Sequence, residues 1–169
     1  MKPNGKKVRL DGDHLVVGDV VRVAREHAPV NIAENCYKDM QASRAMLEKW
    51  LKQGKVVYGV TTGFGPFVST LIPVKYQTEL QENLVRSHAA GVGPRLPERE
   101  VRAMMLLRAN VLAKGFSGAR PELAELLCGM LNARLYPGVP EQGSVGASGD
   151  LAPLAHLALA LIGEGTLRH

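Results

Sequence analysis

Residues 143–150 read Gly143-Ser144-Val145-Gly146-Ala147-Ser148-Gly149-Asp150, a run of small residues with little side-chain chemistry of its own. Its reactivity lies in the backbone. With glycine at the third position of Ala147-Ser148-Gly149, the chain can bend until the Gly149 nitrogen meets the Ala147 carbonyl carbon, because no Cβ blocks the approach. Closing that bond and losing two waters, one from the ring and one from Ser148, gives a conjugated five-membered ring with an exposed methylidene carbon. That carbon is an electrophile, which no standard side chain supplies. Ser148-Gly149-Asp150 also reads as the cap of a following helix, since serine and aspartate favour N-cap positions. The two readings are compatible, because a helix N-terminus beside such a ring stabilises developing negative charge.

The elements that must position this octet are mostly helices. Gly18-Asp19 opens a helix through about His27 that Pro29 ends, and a second helix spans Ala33 to Gln53, with Cys36, Met40, Leu47, Trp50 and Leu51 near one face and Gly54 as its stop. Pro73 starts a third helix carrying Tyr76, Leu80, Leu84 and Ser87 at helical spacing, and the loop Gly91-Val92-Gly93-Pro94 breaks it. Pro97 opens the clearest helix, closed by Gly115. The wide arc of Val101, Met104, Met105, Leu107, Val111 and Leu112 predicts burial against several partners. Pro121 opens another helix with Leu123, Leu126, Leu127, Met130 and Leu131 inward, and the last runs from near Asp150 to Gly163. Strand signals are few. Asp11-Gly12-Asp13 between Val8-Arg9-Leu10 and His14-Leu15-Val16-Val17 predicts a hairpin. Lys55 to Tyr58 reads as a short strand entering a glycine-rich loop, and Tyr136 to Gly146, with its prolines and glycines, is expected to be irregular. The expected class is mainly α with a small β hairpin or sheet near the N-terminus.

The 169 residues suffice for one domain with a real core. The net charge of +5 comes from basic residues scattered among acids, which describes solvated helix faces and argues against a nucleic-acid stripe. Cys36 and Cys128 lie far apart without metal-type spacing, as in a reduced intracellular chain with two core thiols. No apolar stretch follows Lys2, Lys6 and Lys7, and the most apolar run, Leu151 to Ile162, contains Pro153 and His156 and is too short to span a bilayer. A soluble, cytoplasmic protein with no membrane partner is expected.

The octet, its continuation Leu151-Ala152-Pro153-Leu154-Ala155-His156, and the upstream Tyr58-Gly59-Val60-Thr61-Thr62-Gly63-Phe64-Gly65 together resemble the amino-terminal part of the aromatic amino acid ammonia-lyase and aminomutase family. The resemblance runs from about Val8 to the last residue. It implies a 4-methylidene-imidazol-5-one formed autocatalytically from Ala147-Ser148-Gly149, with no external cofactor and no metal. It implies Asp150 as a support for ring formation and Tyr58 as the base that takes the substrate β-proton. A free phenol, with a pKa of about 10, is a poor base unless its anion is stabilised, and backbone amides of the loop from Gly59 to Gly65 are the expected stabilisers. Phe64, Gly65 and His88 are the implied substrate-binding residues. His156 reads as structural, and Arg86, Arg108 and Arg120 as structural or surface residues.

Removing ammonia from an α-amino acid needs an electrophile for the amine and a base for the weakly acidic β-hydrogen. The resemblance implies a lyase converting an aromatic L-amino acid to an arylacrylate. Ser87-His88 matches the histidine-specific branch and some bacterial aminomutases, whereas Thr61 stands where histidine-specific enzymes carry asparagine. L-Histidine to urocanate is favoured. The alternatives are a tyrosine or phenylalanine 2,3-aminomutase, or an inactive helical assembly fragment. The family's sites draw on three subunits of a homotetramer and on a tyrosine, an asparagine and an arginine from beyond His169. Residues 1–169 are therefore expected to be the amino-terminal region of a longer chain.

Overall fold

A computed structural model describes residues 6–146 and 149–169. The chain begins with strand β1 (Val8–Leu10), helix α1 (Val17–Glu26) and strand β2 (Val30–Ile32), and β2 lies parallel to β1 with Val8 opposite Val30 and Leu10 opposite Ile32. The predicted hairpin is therefore replaced by a strand–helix–strand unit. The cause is local. Asp11 Oδ1 accepts the amides of Asp13 at 3.0 Å and His14 at 2.9 Å, and the Asn110 side chain bonds both the N–H and the carbonyl of Gly12. The turn is thus held by side chains, and the chain leaves it as a helix.

Helix α2 (Glu34–Lys52) follows, then a loop, helix α3 (Val74–His88), strand β3 (Val92–Arg95), helix α4 (Glu98–Ala113), helix α5 (Pro121–Asn132), strands β4 (Tyr136–Pro137) and β5 (Pro140–Gln142), helix α6 (Leu151–Leu161) and strand β6 (Leu167–Arg168). Two segments expected to be irregular are thus short strands. β3 pairs antiparallel with β5 through an irregular register, and β4 with β6. These ladders tolerate Pro94, Pro137 and Pro140 because they are short edges where a missing N–H is affordable. The expected strand at Lys55–Tyr58 is instead a turn. Thr61 Oγ1 accepts the Val57 amide at 2.8 Å and donates to the Lys55 carbonyl at 2.9 Å, and the Val57 carbonyl accepts the Thr61 amide at 2.9 Å.

The core is built where α4 packs on α1 and α5, over the β1–β2 pair. Leu10, Val23, Val101, Met105, Leu106, Leu127 and Val139 are buried at its centre, as are both cysteines. The arc of α4 is narrower than its sequence predicts: Leu107 and Val111 are exposed, as is Leu126 on α5, while Leu106, Ala109 and Arg102 take the inward face. An apolar residue type does not by itself dictate burial.

Arg102 is a buried cation that the sequence pattern did not single out. Its guanidinium donates to the Val23 carbonyl through Nε (2.9 Å) and Nη2 (2.6 Å), and through Nη1 to the Leu131 carbonyl (3.3 Å) and the Tyr136 hydroxyl (2.6 Å). It caps the carboxyl end of α1, where His27 has turned left-handed (φ 56°) and bonds back to Arg22. Tyr136 opens the strands that lead to the octet, so this one side chain ties α1, α4 and α5 to the approach of the reactive segment. Among the described residues, no helix is long and apolar enough to cross a membrane.

Candidate active site

Helices α3 and α6 pack together yet turn apolar stripes toward an open space rather than the main core. Leu80, Leu84, Val85 and His88 of α3 face Leu151, Leu154, Ala155 and Ala158 of α6. The loop between α2 and α3 borders this space with Tyr58, Phe64, Gly65, Phe67 and Ile72, forming an open cavity of about 1010 Å³. Four residues singled out in the sequence, Tyr58, Phe64, Gly65 and His88, therefore line one cavity although thirty positions separate the first from the last.

The loop is shaped by its own hydrogen bonds. The Gly63 amide donates to the Thr70 carbonyl (3.1 Å) and the Ile72 amide to the Thr61 carbonyl (2.9 Å), closing a tight excursion around a single 3-10 turn at Gly65–Phe67. Thr61 and Thr62 are buried, and their hydroxyls serve the turn rather than the cavity. Gly59 has φ 69°, and a Cβ there would stand 2.6 Å from the Phe64 ring. Its absence lets Phe64 pack edge-on against Tyr58, with ring centroids 5.6 Å apart. Tyr58 itself is exposed, and its hydroxyl accepts the Gly65 amide at 3.4 Å.

His88 closes α3. A carbonyl can only accept, so the contact between its Nδ1 and the Leu84 carbonyl (2.9 Å) places the proton on Nδ1. Ser87 Oγ also donates to that carbonyl (3.0 Å) and lies 3.2 Å from Nδ1. In this tautomer of the neutral ring Nε2 is an acceptor, without a hydrogen-bond partner among the described residues. Apart from Tyr58 and His88, Thr70 brings the remaining polar side chain of the lining, and no cation or carboxylate lines it among the described residues.

Ala147 and Ser148 lie outside the described residues. Their neighbours fit a backbone-derived ring. Among the described residues from Gly143 to Asp150 no ladder is formed, and Gly149 takes φ 82° with no described heavy atom within 4 Å of where a Cβ would stand. Glycine is required there by conformation and not by crowding. Asp150 occupies the N-cap position of α6 but caps no amide with its side chain. Its carboxylate instead accepts the hydroxyl of Ser144. His156, on the same helix, accepts the Gly91 amide through Nε2 at 3.0 Å, and burial lowers its pKa, as befits a neutral structural imidazole. Arg86 forms an exposed bridge from α3 to Glu164 beyond α6 (2.6 Å).

Sequence reasoning missed the apolar walls of the cavity. Leu80 and Leu84 carried a helical stripe, but a stripe does not say whether it meets a core or a cavity. Arg102 gave no signal, because it acts through partners distant in sequence, and Ser144 was read only as one of the octet's small residues.

A family model described as aromatic amino acid lyase matches residues 15–169. A histidine ammonia-lyase of Caldanaerobacter subterraneus is 52% identical over 160 residues, covering 95% of this chain and 32% of its own length. The human histidine ammonia-lyase is 48% identical over 162 residues, covering 96% of this chain and 25% of its own. Among solved structures, the tyrosine aminomutase of Streptomyces globisporus superimposes with a TM-score of 0.91 at 44% identity, covering 97% of this chain and 31% of that one. The chain thus spans about a third of the length of the bacterial relative and a quarter of that of the human one.

Proposed function

The chain belongs to the aromatic amino acid lyase family, and from that membership we propose that the whole protein is a carbon–nitrogen lyase that eliminates ammonia from an aromatic L-amino acid, L-histidine foremost. The observation that carries the reading is the convergence of Tyr58, Phe64, Gly65 and His88 on one apolar cavity beside the amino end of α6.

The 4-methylidene-imidazol-5-one expected from Ala147-Ser148-Gly149 supplies, when formed, the electrophile that makes the amine a leaving group. The chain's own residues account for the rest. The apolar walls from α3 and α6 exclude water from the substrate ring. Tyr58, its oxygen held by the Gly65 amide, takes the β-proton. His88 offers Nε2 as an acceptor, so it favours a side chain that can donate: the N–H of an imidazole or the O–H of a phenol, but not a bare phenyl ring. Asp150 supports ring formation beside Gly149. The absence of a lining cation among the described residues leaves the substrate carboxylate to be met by the rest of the protein, in keeping with a homotetramer whose subunits share sites.

The likeness to tyrosine aminomutases keeps a 2,3-aminomutase as the second reading, since the same groups would serve it. The test is to incubate the full-length protein separately with L-histidine, L-tyrosine and L-phenylalanine and identify products by mass spectrometry. Urocanate, with no β-amino acid, supports the lyase. A β-amino acid supports the mutase, and no turnover of any of the three contradicts both.

A further inference from the structure

Ring closure requires the Gly149 nitrogen to meet the Ala147 carbonyl carbon, and the described residues on either side of Ala147 and Ser148 are anchored. Upstream, β5 is fixed to β3, with Val92 opposite Gln142. Downstream, the Asp150 carbonyl accepts the Leu154 amide at 3.0 Å in the first turn of α6. Between these anchors Ser144 Oγ donates to Asp150 Oδ1, closing a loop that contains Ala147, Ser148 and Gly149. The Asp150 carboxylate caps no helix amide, and among the described residues the Ser144 hydroxyl is the donor it accepts.

We propose that Ser144 is a positioning residue for ring formation, orienting the Asp150 carboxylate next to Gly149. The proposal rests on the reading of Ala147-Ser148-Gly149 as the ring-forming segment. The composition of the octet singles Ser144 out. Its hydroxyl-bearing residues are Ser144 and Ser148, and the Ser148 hydroxyl leaves as water when the ring forms. Ser144 is then the octet's remaining hydroxyl donor to Asp150. The covalent balance does not involve it: the bond from Gly149 nitrogen to Ala147 carbon forms, two waters leave, and no oxidant or reductant is needed. Ser144 contributes by fixing the orientation of the Asp150 carboxylate, the group that supports ring formation next to Gly149.

The test follows the intact mass of newly made full-length protein over time, together with near-ultraviolet absorbance, for the wild type, Ser144→Ala, Ser144→Thr, Asp150→Ala and the Ser144→Ala/Asp150→Ala double variant. The wild type is expected to lose two waters. Ser144→Ala should lose them about fivefold more slowly, the effect of one net hydrogen bond, and Ser144→Thr should restore the rate because it keeps the hydroxyl. The double variant should mature no more slowly than Asp150→Ala, because Ser144 acts through that carboxylate. Ser144→Ala maturing at the wild-type rate, or slowing maturation equally with Asp150 already removed, overturns the proposal while leaving the ring intact. A wild type that never loses the waters overturns the ring reading itself. Slow maturation of Ser144→Ala that threonine does not restore also refutes the positioning role.

Discussion

Replacing Arg102 by methionine keeps most of the apolar stem and deletes the guanidinium. Three acceptors lose a donor. The Leu131 carbonyl keeps the Arg134 amide at 3.3 Å, so its loss is small. The Val23 carbonyl loses both Nε and Nη2 at the end of α1, and the Tyr136 hydroxyl loses a 2.6 Å donor inside the core. Each buried group left unpaired costs about 1–3 kcal/mol. Relief of the desolvated cation offsets part of this, because Arg102 is 1% exposed and its hydrogen-bond partners are neutral carbonyls and a phenol. The net expectation is a loss of about 3 kcal/mol. With a urea dependence of ~2 kcal/mol per molar, the unfolding midpoint should fall by ~1.5 M. Arg102→Lys should recover only part of the loss, since an ammonium on a flexible stem cannot span Val23 and Tyr136 as a planar fork does. Urea titration of the 169-residue chain followed by circular dichroism measures both. A methionine variant within ~0.5 kcal/mol of wild type, or full recovery by lysine, would show that the guanidinium does not hold these elements together.

Tyr58→Phe in the full-length protein should lower product formation by roughly 10²–10⁴-fold while the loss of two waters persists, because it removes a base and not the ring; intact mass and turnover are read on the same sample. His88→Ala should weaken discrimination of L-histidine and L-tyrosine over L-phenylalanine by about tenfold, seen as a ratio of kcat/KM values. Asp11 gives a pH prediction. The backbone amides of His14 and Asp13, then the His14 side chain, hold its carboxyl well below the usual carboxylate range. A folded-state pKa below the unfolded value means that the stabilisation is present above the unfolded pKa of about 3.9 and is lost as pH falls through the folded one. The wild-type urea midpoint should therefore drop more steeply than that of Asp11→Asn below about pH 4, and parallel curves would count against the turn described above.

The helices were legible because proline and glycine punctuate them. Pro73, Pro97 and Pro121 stand at or next to the starts of α3, α4 and α5, and Gly54 and Gly115 follow the ends of α2 and α4. The short strands were not, because each depends on a distant partner. β1 finds β2 across a helix, and β3 finds β5 across two helices, although Gly93, Pro94 and Pro140 all read locally as breakers. The Asp-Gly turn misled for the same reason: Asn110, far along the chain, decides where it leads. At the candidate site, Tyr58, Phe64, Gly65 and His88 were legible as motif residues, and the structure brings them to one cavity. The cavity's walls, the Arg102 cap and the Ser144 contact are products of packing, to which a local pattern is blind. Ala147 and Ser148, the centre of the sequence reading, lie outside the described residues.

The proposed activity depends on the backbone at Ala147-Ser148-Gly149 becoming an electrophile. The most direct measurement is the intact mass of the full-length protein beside its Ser148→Ala variant, with the near-ultraviolet spectrum of each. The expected result is a wild type lighter than its sequence by two waters, with an absorbance band that the variant lacks, and a variant of unaltered sequence mass without turnover. A wild type at its full sequence mass, or a Ser148→Ala variant as active as the wild type, would contradict it.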